Sequence, residues 1–210
     1  MFNIKQCVVR NMINKIEAIE EAIKYKCYLP ALSLALTIPD ICGQIEYPQF
    51  VYRNGNKEVR NVGKQYIEWF NNWVEVYYAD DTGFSEDWKR AKKPYFTGKM
   101  CYKLRCAFLH SGNSDIEDFG KKEDDEFIYS YYFNLCLSGC DSWGPTWEIK
   151  EEGNGKIIKE ITVSINVEIL CNNICSAARR YYKYKGEKCF EDHKINVIDI
   201  KYELDKLRVR

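Results

Sequence analysis

Apolar residues recur at helical spacing through the first half of the chain, and this pattern restricts the fold more than any other feature. A long amphipathic helix is predicted from Ile4 to Tyr25, and a more apolar helix from Leu29 to Ile38. An aromatic stripe from Val62 to Tyr78 predicts a third helix, and the segment from Gly98 to Leu109 predicts a fourth. Together they predict a helical body over residues 1–113.

Pro39 follows the second helix and is expected to break or kink it, because proline lacks an amide donor and disfavours helix in the preceding residue. Asp40 comes next, and Gly43 is expected to end the element. A carboxylate so close to a buried helix needs a partner or water. Asp40 is therefore interpreted first as an N-cap or a structural salt bridge, with substrate binding as the alternative.

The hydrophobic pattern changes after the acidic segment that follows Asn113. Aromatic residues from Phe127 to Leu137 and branched residues from Ile157 to Val167 predict two strands. Between them, the segment from Trp147 to Lys150 and the turn signal Gly153-Asn-Gly155 predict a β-hairpin. In the first half, the polar residues 44–60 predict a long loop with a short hairpin.

Helical spacing returns over about residues 167–185, where cations gather at the end of the segment and Gly186 is a suitable stop. A short strand or tail is expected from Ile195 to Leu207. The predicted fold class is mainly α. We expect a single domain over residues 1–210, in which a helical bundle carries a small antiparallel β insertion near residues 126–165.

Composition excludes some functions. Lys+Arg and Asp+Glu both number 31, and this balance argues against a protein that coats duplex nucleic acid through many phosphate contacts. There is no apolar run of about 18 residues and no signal-peptide pattern at the N-terminus, so we expect a cytoplasmic protein without a membrane partner. In that compartment the ten cysteines should be reduced rather than paired.

Arg105 and His110 stand at the end of the fourth predicted helix, followed by a loop that contains Gly112. On an ideal α-helix, residues five apart lie about 140° apart around the axis, so the two side chains would not converge. They converge if the helix ends near Leu109 and the loop turns His110 back, or across the twofold axis of a dimer.

The chemistry of such a pair suits phosphodiester cleavage in RNA. A histidine titrates near neutral pH and can take a proton from a 2′-hydroxyl or give one to the leaving oxygen. An arginine binds phosphate oxygens bidentately and stabilises the charge that develops on the phosphoryl group. Two copies of the pair would supply separate acid and base histidines without a metal or other cofactor.

Arg105-Cys-Ala-Phe-Leu-His110 resembles the R-x4-6-H motif of the HEPN superfamily. The resemblance implies an all-α domain that dimerises and acts as a metal-independent endoribonuclease, with its composite site at the dimer interface. Toxins of toxin–antitoxin pairs and antiphage effectors are common members, so RNA, a second copy and an antitoxin or other regulatory protein are the implied partners. The expected products are a 2′,3′-cyclic phosphate and a 5′-hydroxyl.

The family often carries a polar residue directly after the arginine, where this chain has Cys106. Asn113 is a candidate to replace it from the loop, as a substrate-binding residue together with Asp40. The alternative to catalysis is a capping arrangement, in which His110 interacts with the helix dipole and Arg105 pairs with an acid such as Asp40. The alternative function is a non-catalytic HEPN-like module that binds a partner protein or nucleotide, and a third is an effector gated through the β segment.

Three weaker candidates remain. The pairs Cys136/Cys140 and Cys171/Cys175 have a spacing compatible with zinc, although the second pair also suits one buried helix face. His193 is interpreted as a solvated loop residue. The cations Arg179-Arg180, interleaved with tyrosines, are compatible with RNA contact or simply with a charged helix end.

Overall fold

The computed structural model describes residues 8–10, 12–79, 94–114, 116, 122–123, 127–151, 157–193, 195–197 and 200. Six α-helices lie in these ranges: α1 Met12–Lys24, α2 Tyr28–Ala35, α3 Ile38–Glu46, α4 Val62–Trp73, α5 Gly98–Cys106 and α6 Val167–Lys185. Eight strands accompany them: β1 Val8–Arg10, β2 Val51–Asn54, β3 Lys57–Arg60, β4 Lys122–Glu123, β5 Phe127–Cys136, β6 Ser142–Glu151, β7 Ile157–Asn166 and β8 Ile195–Val197. The expectation of a mainly α fold is confirmed. None of the described helices combines the length and apolar character needed to cross a bilayer.

The first predicted helix is shorter than expected. Its part up to residue 7 lies outside the described residues, and Val8–Arg10 is a strand that pairs antiparallel with Ile195–Val197. Valine is a good strand former, so the pairing overrides the weak helical spacing at this end. Helix α1 begins at Met12 and buries Met12, Ile16 and Ile19.

Pro39 begins a helix rather than ending one. Helix α2 stops at Ala35, and α3 starts at Ile38 with Pro39 in its first turn, where the missing amide would have no helical partner. The prediction that Gly43 ends the element is wrong, because α3 continues to Glu46. Gly43 is instead the point where α3 approaches α4: a Cβ there would lie 2.4 Å from the carbonyl oxygen of Gln65.

The segment between α3 and α4 contains the predicted hairpin. Strands β2 and β3 pair antiparallel around the turn at Asn54-Gly55, and Gly55 has a φ of +60° that suits glycine. Asn61 then caps α4, its side chain accepting a hydrogen bond from the amide of Lys64 at 3.1 Å. The end of β3 and the start of α4 therefore lie directly beside the first turn of α3.

The β insertion lies where it was predicted, but its expected antiparallel pairing is wrong in one respect. Strand β7 pairs in parallel with β5 over ten residues, and antiparallel with β6 on its other side. Strand β4 completes a mixed sheet in the order β4-β5-β7-β6. Alternation of apolar residues gives no information about strand direction, so the sequence could not distinguish these pairings.

Helix α6 closes the body as predicted and contacts α1, α2, α3 and α4. It starts directly after β7 with Asn166 as its N-cap, and Gly186 ends it with a φ of +82°. Its buried face contributes to one core that also contains the aromatic stripe of α4. The buried face of α6 consists of Val167, Leu170, Cys171, Ile174, Cys175, Ala177, Ala178 and Tyr181.

We predict that Gly43→Ala destabilises the fold by about 1–3 kcal/mol, because a methyl group must displace the backbone of α4. The free energy of unfolding, measured by chemical denaturation, tests this. Gly139→Ala is the matched control, since its nearest neighbour would be 4.0 Å away, and it should stay within about 0.5 kcal/mol. Equal stability of the two variants would contradict the close approach of α3 to α4.

Candidate functional site

Arg105 and His110 contact each other within one chain. The Nη1 atom of Arg105 lies 3.0 Å from Nε2 of His110. The helix does not end near Leu109 as expected: after α5, residues 107–111 form a π-helical turn that ends at Gly112 with a φ of +68°. His110 lies in that turn and Arg105 in the last turn of α5, so the contact spans the junction between the two helical segments. Neither a loop reversal nor a dimer axis is needed for the contact.

The donors and acceptors of the two groups limit how this hydrogen bond can form. A guanidinium group has donors only, so Nη1 donates and Nε2 of His110 accepts. The imidazole tautomer that can accept this bond is the one with its proton on Nδ1. The ring of His110 is exposed, so a base with a free lone pair would face solvent once Arg105 moved aside.

Asp40 holds Arg105 from the other side. Its Oδ2 atom accepts a hydrogen bond from Nη2 of Arg105 at 3.1 Å, and its Oδ1 atom accepts one from Nη2 of Arg60 at 2.5 Å. The side chains of Arg105, Asp40 and Arg60 are 18%, 20% and 28% exposed, so all three ions are largely withdrawn from water. A single carboxylate thus separates two guanidinium groups.

Arg60 is itself fixed by three acceptors. Its Nη2 also donates to the main-chain oxygen of Asp40 at 2.7 Å, and its Nε donates to Oε1 of Gln65. The amide of Gln65, which is buried, donates in turn to the main-chain oxygen of Tyr47 at 2.7 Å. Every acceptor in this chain of contacts lies on α3, on α4 or just after α3, so helix packing sets the position of Asp40.

Sequence reasoning missed Arg60 and Gln65. Gln65 carried a usable signal, because it is a polar residue on the apolar face of α4 that also holds Tyr66 and Trp69. A buried polar side chain in such a stripe implies a specific hydrogen-bond partner. Arg60 carried no such signal, since its place beside Asp40 depends on the hairpin that precedes α4.

Two polar side chains lie beneath Arg105 and His110, and neither is accessible to solvent. Tyr66 Oη and Cys101 Sγ are 3.3 Å apart and both residues are fully buried. Burial raises the pKa of Tyr66 well above its ordinary value, opposed by the neighbouring charge of Arg105. Burial likewise raises the pKa of Cys101 to about 12. Both groups remain protonated near neutral pH and take no direct part in proton transfer.

Asn113 and Cys106 lie on a neighbouring face. Together with Tyr102, Lys103 and Ser111 they line an open cavity of about 400 Å³. Within the described residues, no hydrogen bond joins the side chain of Asn113 to Arg105 or His110. The structure therefore brings Asp40, Arg105 and His110 together and leaves Asn113 beside them, with its substrate-binding role still a prediction.

His193 is not a solvated loop residue, and that interpretation is wrong. It ends a 3₁₀-helix, Glu187–His193, and is half-buried in the wall of a second cavity that Arg60 and Gln65 also line. Burial lowers its pKa from the ordinary 6.5. No local pattern in the sequence indicates this position, because it depends on how the chain returns from α6 to α3.

The cysteine and arginine candidates have structural contacts of their own. Cys171 and Cys175 are buried on α6, and the nine described cysteines are all unpaired thiols. Over the same described ranges, no three His, Cys, Asp or Glu side chains lie close enough to hold a metal ion. Arg179 pairs with Glu20 at 2.6 Å, and Arg180 donates to the main-chain oxygen of Trp73 at 2.9 Å. These contacts favour the charged-helix-end interpretation.

Comparison of the chain with protein-family models, with curated proteins and with solved structures finds no match. Interpretation of the site therefore depends on the contacts of its own residues.

We predict that Asp40→Asn lowers the free energy of unfolding by about 1–3 kcal/mol, because it leaves two largely buried guanidinium groups without a counter-ion. Glu20→Gln is the matched control, because its ion pair with Arg179 is more than 40% exposed on both sides. Such a pair contributes at most about 1 kcal/mol. If chemical denaturation gave the same small loss for both variants, Asp40 would not organise this region.

Proposed function

We propose that the chain is a HEPN-like, metal-independent endoribonuclease that acts as a toxin or antiphage effector in the cytoplasm. The observation that supports it most strongly is the 3.0 Å contact between Arg105 and His110 at an exposed helix end. A cation that can bind phosphate and a neutral imidazole that can accept a proton are the two groups that this reaction requires. Both lie in one chain, next to solvent.

In the proposed mechanism, the incoming phosphate replaces His110 as the partner of Arg105 Nη1. This exchange frees Nε2 of His110, which then takes the proton from the 2′-hydroxyl while the 2′-oxygen attacks phosphorus. The bond from phosphorus to the 5′-oxygen breaks, and the leaving oxygen receives a proton. Arg105 stabilises the charge on the phosphoryl oxygens during the transfer.

Asp40 acts as a positioning residue in this mechanism. Its Oδ2 holds the Nη2 end of Arg105, so that the Nη1 end points toward His110 and solvent. A guanidinium group fixed at one end loses less conformational entropy when the other end binds phosphate. The proton that the leaving 5′-oxygen receives comes, in this proposal, from a protonated His110 of a second copy in a dimer, whose own contact with Arg105 has opened. The family resemblance implies the dimer.

The alternative is a HEPN-like module that binds a partner protein or a nucleotide without cleaving RNA. The observation that favours it is the withdrawal of Arg105, whose side chain is only 18% exposed and already paired with Asp40. Cys106, which stands where the family often has a polar residue, also favours this alternative. An antitoxin or other regulatory protein would be its natural partner.

We predict that His110→Ala lowers the rate of RNA cleavage by about 10²–10⁴-fold, the usual contribution of a general acid or base. Arg105→Ala should cause a loss of similar size, because it removes the group that binds the phosphate. The measurement is single-turnover cleavage of a labelled RNA in EDTA by the purified full chain. Lys99→Ala is the matched control, since it removes an exposed cation from the same helix.

Cleavage by His110→Ala at the parental rate would contradict this mechanism. An inactive parent chain that binds RNA or a protein partner would favour the alternative function. Host growth gives an independent readout: overproduction of an active chain should slow growth, and Arg105→Ala should relieve it. A rate per chain that rises with protein concentration would support the dimer, and full activity of a chain that is monomeric at the assay concentration would reject it.

A further inference from the structure

The second cavity lies beside Arg60, which pairs with the Asp40 oxygen that Arg105 does not use. It is an open cleft of about 470 Å³, and its wall combines Arg60, Gln65 and His193 with the apolar side chains of Ile45 and Pro48. This volume is within the range of small-ligand pockets, roughly 300–1,000 Å³. Each of the two histidines in the chain thus lies near one of the arginines that Asp40 binds. His110 contacts Arg105, and His193 lines the same cavity as Arg60.

The guanidinium group of Arg60 lies in the cavity wall, and its hydrogen bonds fix its orientation. Its Nε and Nη2 atoms are used by Gln65 and Asp40. Among the described residues, none accepts a hydrogen bond from its Nη1. Gln65 is satisfied at both ends of its amide, so it holds Arg60 in place rather than competing with a ligand.

Charged groups of both signs surround His193. The groups that act on its imidazole are Asp192, Arg60, Lys15 and Asp40. These are two cations and two carboxylates, and one of the carboxylates, Asp40, is also paired with Arg105. Glu46, on the same helix as Asp40, is already paired with Lys185 at 2.9 Å. The charges around His193 therefore balance while its imidazole is neutral, and protonation of the imidazole leaves one net positive charge.

We infer that this cavity binds the phosphate group of a nucleotide, with Arg60 and His193 as donors and with Ile45 and Pro48 as the apolar wall for the sugar or base. An arginine with a free donor and a titratable histidine recognise an oxyanion. The size and apolar wall exceed what an inorganic anion needs. The inference deepens the proposed function, on which it rests: the nucleotide would be one that neighbours the cleaved phosphate in RNA.

The state of His193 is a direct reporter of ligand binding. Burial lowers its pKa from 6.5, so the neutral form dominates near neutral pH. A bound phosphate would favour the protonated form and raise that pKa. Because the chain has only two histidines, the imidazole signal that remains in a His110→Ala variant belongs to His193.

The test is an NMR titration of His193 in the full-length His110→Ala chain, with adenosine 5′-monophosphate, inorganic phosphate and a short RNA carrying 2′-O-methyl groups as probes. We expect a saturable shift of the imidazole signal and a raised pKa with the nucleotide and the RNA. Arg60→Gln should weaken nucleotide binding at least about tenfold. Lys188→Gln, an exposed cation on the same 3₁₀-helix, should leave it unchanged.

Cys189→Phe provides a second variant that keeps Arg60 and Asp40 paired. Cys189 is exposed and lines the cavity, so a larger side chain should block binding without disturbing the core. A His193 signal that no probe shifts, or that shifts equally in Arg60→Gln, would overturn the inference. A response to inorganic phosphate alone would overturn the nucleotide assignment. If the chain cleaves RNA but His193 does not respond to the probes, only the proposed nucleotide site is rejected. If nucleotide binds but RNA is not cleaved, only the proposed nuclease activity is rejected.

Discussion

The carboxylate of Asp40 is the contact on which the arrangement of the site depends. Each of its oxygens accepts a hydrogen bond from a different arginine, so removing it would release both Arg60 and Arg105. Two guanidinium groups so close together repel each other, and only an anion between them makes the geometry stable. Asp40 can play this role because Pro39 starts α3 directly before it and Gly43 lets α3 approach α4.

This arrangement sets two opposing demands on Arg105. A guanidinium group bound by Asp40 and His110 is well positioned, but it is also partly neutralised and withdrawn from solvent. For a nuclease, the phosphate must compete with His110 for Nη1 while Asp40 keeps Nη2. For a binding module, the same contacts would hold the helix end rigid beneath a partner. The two functions share one geometry and differ in whether the contact between Arg105 and His110 opens when RNA arrives.

Much of the helical body could be predicted from the sequence, because amphipathic spacing is a local property. The aromatic stripe of α4, and the cationic end and stop residue of α6, identified these helices closely. Misplaced boundaries occurred where tertiary contacts override local preference: Val8–Arg10 pairs with a strand near the other end of the chain, and Gly43 is required for packing. The parallel pairing of β5 with β7 is equally non-local, and alternation in the sequence does not encode it.

Three residues of the site were predictable from the sequence, but their geometry was not. Arg105, His110 and Asp40 were identified from sequence, yet the ideal helix places Arg105 and His110 on different faces, and the π-helical turn at residues 107–111 could not be anticipated. Arg60 and His193 approach through a hairpin and a 3₁₀-helix that are distant in sequence. Long-range contacts of this kind leave no local pattern.

The most direct test of the proposed chemistry is mass spectrometry of the fragments formed when the full chain cleaves a defined RNA in EDTA. Attack by the 2′-oxygen predicts 2′,3′-cyclic phosphate and 5′-hydroxyl ends, and no cut at a position that carries a 2′-deoxyribose. Fragments with 3′-hydroxyl and 5′-phosphate ends, or cleavage that survives the 2′-deoxy substitution, would contradict a mechanism in which His110 activates the 2′-hydroxyl.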